Sequence, residues 1–206
     1  MYARSTTIHG TPAKIDDGIA FVCDEVMPVV TEMPGCVGLS MLADRDTGRC
    51  IITSSWHDAD AMRSSAEGVR GIRDRAADVF GGQLGVQEWE VAVMHRRSEA
   101  PSGACTRVTW TRCDPAEVDR VLDAYRAVMV PRMENYAGFC SVSLMIDRGQ
   151  GMAASAVTFE DRECMEASRM HARASRDDFA RLMRIAITDT EEFDLVLAHL
   201  RVPETV

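Results

Sequence analysis

The chain has 206 residues, of which 46% are hydrophobic and 27% charged, a balance that suits a folded globular protein and excludes a disordered one. Its net charge of −9 excludes nucleic acid as the main partner, because phosphate binding needs a basic footprint, and leaves small molecules or other proteins. The seven cysteines are odd in number and include no C-x-x-C pair, so neither a disulfide framework nor a cysteine-held metal is expected.

No apolar run approaches the roughly 18 residues needed to cross a bilayer, and no membrane partner is expected. The first residues, MYARSTTIHG, lack the basic and then apolar layout of a signal peptide. A cytoplasmic location is therefore expected, in which the cysteines behave as small hydrophobes.

Taken in order, the elements occur twice. Pro28 and Pro131 are offset by 103 residues, and the same offset pairs Arg4 with Arg107, Asp58 with Asp161, Met62 with Met165, Ser65 with Ser168, and Arg73 with Arg176. One added residue later, Glu88 aligns with Glu192 and His95 with His199. A register held over such a length marks a duplication. The expected organisation is a module over residues 1–97, a polar linker at 98–104 and a second module over 105–206.

Each module begins with a strand, ARSTTIH or TRVTWT. A helix follows, with Thr11 or Asp114 as its N-cap and Pro12 or Pro115 in its first position. Its apolar residues recur at helical spacing (Ile15, Ile19, Val22, Val26; then Val118, Val121, Leu122, Tyr125). Pro28 and Pro131 are expected to bend or end it.

Two strands around a glycine-containing turn come next, GCVGLSMLADRDTGRCIITSSW and GFCSVSLMIDRGQGMAASAVTF. Asp58 and Asp161 are placed to cap second helices running to about Phe80 and Ile185. The closing strands, VQEWEVAVMH and EEFDLVLAHL, alternate in their central parts. This β-α-β-β-α-β order predicts an α+β protein of two ferredoxin-like modules, whose bare sheet faces can cover each other.

The stretch PGCVGLSMLADRDTGRCIITSSWHDADAM resembles the central signature of the antibiotic-biosynthesis-monooxygenase (ABM) family of dimeric α/β barrels. The likeness lies in the PG-x-x-G approach to the second strand, the strand-end Trp56 and the acidic-Ala start of the next helix. The second module departs from it, with Tyr136-Ala137-Gly138 at the approach and Phe159 in the Trp56 place. The resemblance implies an intrachain pseudo-dimer packed sheet to sheet, compatible with further homo-oligomerisation. It also implies a small-molecule pocket between sheet and helices in each module.

That family includes cofactor-independent oxygenases, haem-degrading oxygenases and members without a known reaction. The haem-degrading branch uses an Asn on the first strand, and a Trp and an axial His on the second helix. Ser65 and Asp74, or Ser168 and Asp177, stand in the helix places, and neither first strand offers an Asn. Haem degradation is therefore disfavoured, since aspartate is a poor axial ligand; haem held through another residue such as His171 is a weaker alternative.

The cofactor-free branch implies an aromatic or conjugated substrate held as its anion, no cofactor, and positive groups to stabilise the charge. On a helical wheel of about 100° per residue, Arg73 lies about 55° from the centre of the apolar stripe, Arg70 about 115° and Asp74 about 155°. Arg73 and its partner Arg176 are therefore the candidate ligand-binding arginines. The pair Arg70 and Asp74 suits a solvent-side i,i+4 ion pair. Trp110 and Tyr125 are aromatic candidates for the second module's pocket, and Trp56 for the first, although large aromatics also serve as core. His57 or His9 is the candidate proton acceptor. No histidines stand at metal-ligand spacing, so no metal is expected. The alternative to a monooxygenase is a non-catalytic binding or scaffold protein on the same fold.

Overall fold

A computed structural model describes residues 1–200 together with Pro203 and Thr205; the rest of the expected second module lies outside the described residues. The first half runs β1 (Tyr2–His9), α1 (Ile15–Phe21), α2 (Met27–Thr31), β2 (Cys36–Ala43), β3 (Arg49–Trp56), α3 (Ala59–Gly68), α4 (Arg70–Phe80) and β4 (Gln83–Arg96). The second half repeats it as β5 (Cys105–Arg112), α5 (Val118–Ala124), α6 (Val130–Met133), β6 (Phe139–Asp147), β7 (Met152–Phe159), α7 (Arg162–Ala167), α8 (Arg169–Met183) and β8 (Ala186–Leu200). The fold is thus two ferredoxin-like modules in one chain.

Pro28 and Pro131 neither end their helices nor stand alone as kinks. Each follows one turn of π-helix, Val22–Val26 or Tyr125–Met129, after which the helix resumes. A proline ring clashes with the carbonyl four residues back. The π turn moves that carbonyl aside, and the Met27 N–H donates instead to Val22 O, five residues back. Asp58 and Asp161 cap α3 and α7 by accepting from the Ala61 and Cys164 N–H groups at 2.8 and 2.7 Å. Thr11 makes no cap bond; its hydroxyl donates to Gly81 O. The second helix of each module is broken once, at Val69 and at Ser168, and α8 ends at Met183 with Arg184 in the left-handed region.

Sheet formation follows the period-two pattern. In the first compact unit, β1 pairs antiparallel with β3 (Tyr2 opposite Trp56, His9 opposite Arg49) and β2 pairs with β3 on its other side. The N-terminal part of β4 adjoins β1, giving the ferredoxin-like order β4-β1-β3-β2. The second unit repeats it with β8-β5-β7-β6.

The long strands are divided between units. The first unit is Met1–Trp89 plus the part of β8 from Asp194, which pairs with β2; the second is Glu90–Phe193, in which β4 from Glu90 pairs with β6. The residues at the change of unit, Trp89 and Phe193, are buried.

Each unit has its own core. Ile8, Val22, Leu39, Met41, Trp56 and Phe80 anchor the first, and Leu122, Val142, Phe159 and Met165 the second. Fully burying a side chain of this size contributes roughly 1.5–3 kcal/mol. Among the described residues, no helix is long and apolar enough to cross a membrane.

Candidate functional site

Strand alternation decides which side chains of β5 face the helices. Arg107, Thr109 and Thr111 line a cavity of about 90 Å³ in the second unit, while the intervening residues turn away. The π turn contributes Tyr125 and Met129, α8 contributes Arg176 and Phe179, and β7 contributes Ser155. The first unit has a counterpart of about 60 Å³, lined by Arg4, Thr6, Val26, Ile52 and Arg73 among others. Its wall has no aromatic side chain.

An arginine of the first strand is buried at each cavity. Arg107, only 7% exposed, donates through Nε to Glu192 at 2.9 Å, through Nη1 to Ser168 Oγ at 3.1 Å and through Nη2 to the Met165 carbonyl at 2.7 Å. Arg4 repeats this with Glu88, Ser65 and Met62 O at 3.1, 2.8 and 2.6 Å. A buried guanidinium is tolerable because its donors are satisfied and its charge is paired. Each serine hydroxyl also donates to the methionine carbonyl, at 2.7 Å in both units. Arg107 lies 5.6 Å over the Phe159 ring.

The second arginine of each cavity is less enclosed. Arg176 donates to Thr190 Oγ1 at 3.0 Å and contacts Asp177 at 3.4 Å; Asp177 also meets Arg173 at 3.6 Å. Burial and the neighbouring Arg4 charge push the Arg73 guanidinium down from its usual value. Beside Arg107, Glu192 is likewise shared with Arg169, at 2.8 Å. Each of these two carboxylates thus serves two guanidiniums, one of them in the cavity wall. The Tyr125 hydroxyl hydrogen-bonds Ser155 Oγ at 2.6 Å, and burial pushes its ionisation well above the ordinary phenol range.

The structure brings together some of the residues singled out from the sequence. Arg73 and Arg176 stand in their cavity walls, and Tyr125 stands with Arg176. Asp74 is exposed. Trp110 lies on β5 between Thr109 and Thr111 and is not among the lining residues. Trp56 is fully buried in the first core, its Nε1–H donating to Ser54 Oγ at 3.1 Å. His9 and His57 are exposed and line neither cavity. The β1–β3 register puts them at opposite ends of one strand pair, roughly 23 Å apart. His171 is exposed on α8.

Spacing did not single out Arg4, Ser65 and Glu88, or Arg107, Ser168 and Glu192, as sites. Their signal was present: all are kept in register between the modules. Among the described residues, no group of three or more His, Cys, Asp or Glu side chains is placed to hold a metal.

No family model matches the chain. The uncharacterized protein Rv2557 of Mycobacterium tuberculosis is 47% identical over 206 residues, covering 100% of this chain and 92% of that protein. The chain belongs to the Rv2557 family. Solved structures show what fold that family has. An anthrone oxidase-like protein matches with a TM-score of 0.68 at 14% identity, over 99% of this chain and 95% of that one. A ferredoxin fold protein from Listeria monocytogenes, related to antibiotic biosynthesis monooxygenases, matches with a TM-score of 0.56 at 10% identity, over 95% and 94%. These likenesses show the fold of this chain, two ferredoxin-like modules in tandem as in those proteins.

Proposed function

We propose that the protein binds a small, acidic, conjugated molecule as its anion in a cavity of this kind and acts on it as a cofactor-independent monooxygenase. The observation that carries this reading is a pair of guanidiniums, Arg107 and Arg176, in an otherwise largely apolar wall. Fixed positive charge in a low-dielectric site stabilises an enolate or phenolate without reorganisation. The carbanion form of such a molecule can reduce dioxygen directly. A C–O bond forms, and the resulting hydroperoxide loses water to leave a carbonyl, so one oxygen atom enters the product and the other leaves as water. The fold shared with an anthrone oxidase-like protein makes an anthrone the first compound to try.

The second reading, binding without chemistry, has its own observation. No histidine or carboxylate stands among the lining residues of either cavity, so the wall supplies no ready proton acceptor. Oxygen uptake with an anthrone and a quinol panel separates the two. The monooxygenase reading expects turnover that falls about 10- to 100-fold in Arg176→Ala, the size of a lost charge-assisted hydrogen bond. Binding without oxygen uptake supports the second reading, and absence of binding across the panel refutes both.

A further inference from the structure

The two cavities differ at a few aligned positions, and the differences share a direction. In the second unit the wall carries Tyr125, Tyr136, Phe159 and Phe179. At the matching places the first unit has Val22, Met33, Trp56 and Ala76, and Trp56 is not among that cavity's lining residues. The packing between the two helices differs as well. In the first unit the Phe80 ring is fully buried and lies against Gly18, so close that a Cβ there would stand 2.2 Å from the ring. The second unit has Met183 and Val121 instead, and Val121 is part of the cavity wall.

One residue of the second cavity's wall carries a polar atom that the fold leaves without a partner. The Tyr136 hydroxyl is buried with no hydrogen-bond partner among the described residues. Its ring is fixed by stacking on Phe159, with centroids 6.4 Å apart and planes 17° apart, and its backbone by the bond from its N–H to Met133 O at 3.0 Å. A buried, unsatisfied hydroxyl costs about 1–3 kcal/mol, so such an atom on a cavity-wall residue asks for a partner, and a ligand oxygen is one that would complete it. Met33 in the first unit can do no such thing.

We infer that the ligand site is confined to the second unit, and that the Tyr136 hydroxyl is its specificity-determining hydrogen-bonding group, selecting an acidic aromatic that carries a second oxygen besides its anionic one. The inference rests on the proposed binding of a conjugated anion and assigns it to one of two duplicated cavities. The aromatic rings supply faces for a planar ligand, the arginines take its charge, and Tyr136 reads the other oxygen. The resting volume of about 90 Å³ is smaller than the 150 Å³ of an engineered apolar cavity that accepts benzene. Entry therefore needs side chains to yield, and Met129, Met133 and Met152 in the wall are flexible ones.

The probe is 4-nitrophenolate, which has one ring, an anionic oxygen and nitro oxygens as acceptors, and whose absorbance reports its ionisation. Titration of the full chain, with native mass spectrometry to count bound molecules, should give one site per chain and a stabilised anion. Tyr136→Phe keeps the stacked ring and should weaken binding about tenfold while leaving the melting temperature in place. Two equivalent sites per chain, or undiminished binding by Tyr136→Phe, overturns this inference and leaves the proposed binding standing. No binding of 4-nitrophenolate by the wild-type chain overturns this inference, and no binding of it or of any anthrone or quinol overturns the proposed binding as well.

Discussion

The buried arginine of each unit makes a quantitative prediction, because the two units offer the same network at different exposures. Arg107 is held by Glu192, whose side chain is 22% exposed, whereas Arg4 is held by Glu88, which is 46% exposed. Arg107→Met removes a buried charge, and Glu192→Gln leaves that charge facing a neutral amide. In the single variant Glu192→Gln the guanidinium keeps Ser168 and the Met165 carbonyl, so the loss is the difference between a charged and a neutral acceptor. That difference is about 1–2 kcal/mol for each bond to the carboxylate. The double variant has neither charge and should cost less than the two singles together, since an apolar replacement of a whole buried pair is often tolerated. A double-mutant cycle followed by urea denaturation should therefore give a coupling of about 2–3 kcal/mol for Arg107 and Glu192. The matching cycle with Arg4→Met and Glu88→Gln should give roughly half as much, because solvent screens the more exposed carboxylate. Equal coupling in both units, or none in the second, would refute the account of these networks as buried charge pairs whose strength follows exposure.

Gly18→Ala should destabilise the protein by about 2–3 kcal/mol, as overpacking against the Phe80 ring; an unchanged thermal melt would show that Phe80 does not fill that space. Burial pushes the Cys50 thiol up to about 12, with the Arg45 charge opposing and Asp44 adding to the rise. Below about pH 8.5 the thiol is neutral in both folded and unfolded chains, and its contribution to stability is intact. Above that, the unfolded chain gains by ionising and the folded one does not, so stability falls as pH rises towards 12. Iodoacetamide at pH 8 should accordingly leave Cys50 unmodified in the native protein and label it after unfolding, as read by peptide mass spectrometry.

Part of the site was legible because helical periodicity is local. The wheel angle that separated Arg73 and Arg176 from Asp74 depends only on residues within a few turns, and the cavity walls contain both arginines. The histidines show the limit of the same reasoning. His9 and His57 were alternative candidates by residue type and strand-end position, and both are exposed and line neither cavity. Nothing in the spacing of single strands reports which strand end meets a cavity.

The sequence by itself determined the duplication, the order of elements in each module and the helix caps at Asp58 and Asp161, because repeats, apolar periods and capping residues are all written within short windows. Only the tertiary structure decided that Arg107 is buried and paired, because its partners lie 58 to 85 residues away along the chain. It also decided that β4 and β8 each change unit midway, since an alternating strand looks the same whichever neighbour it pairs with. The orphaned Tyr136 hydroxyl belongs to the same class. A tyrosine in a turn reads as ordinary until packing encloses its oxygen without giving it a partner.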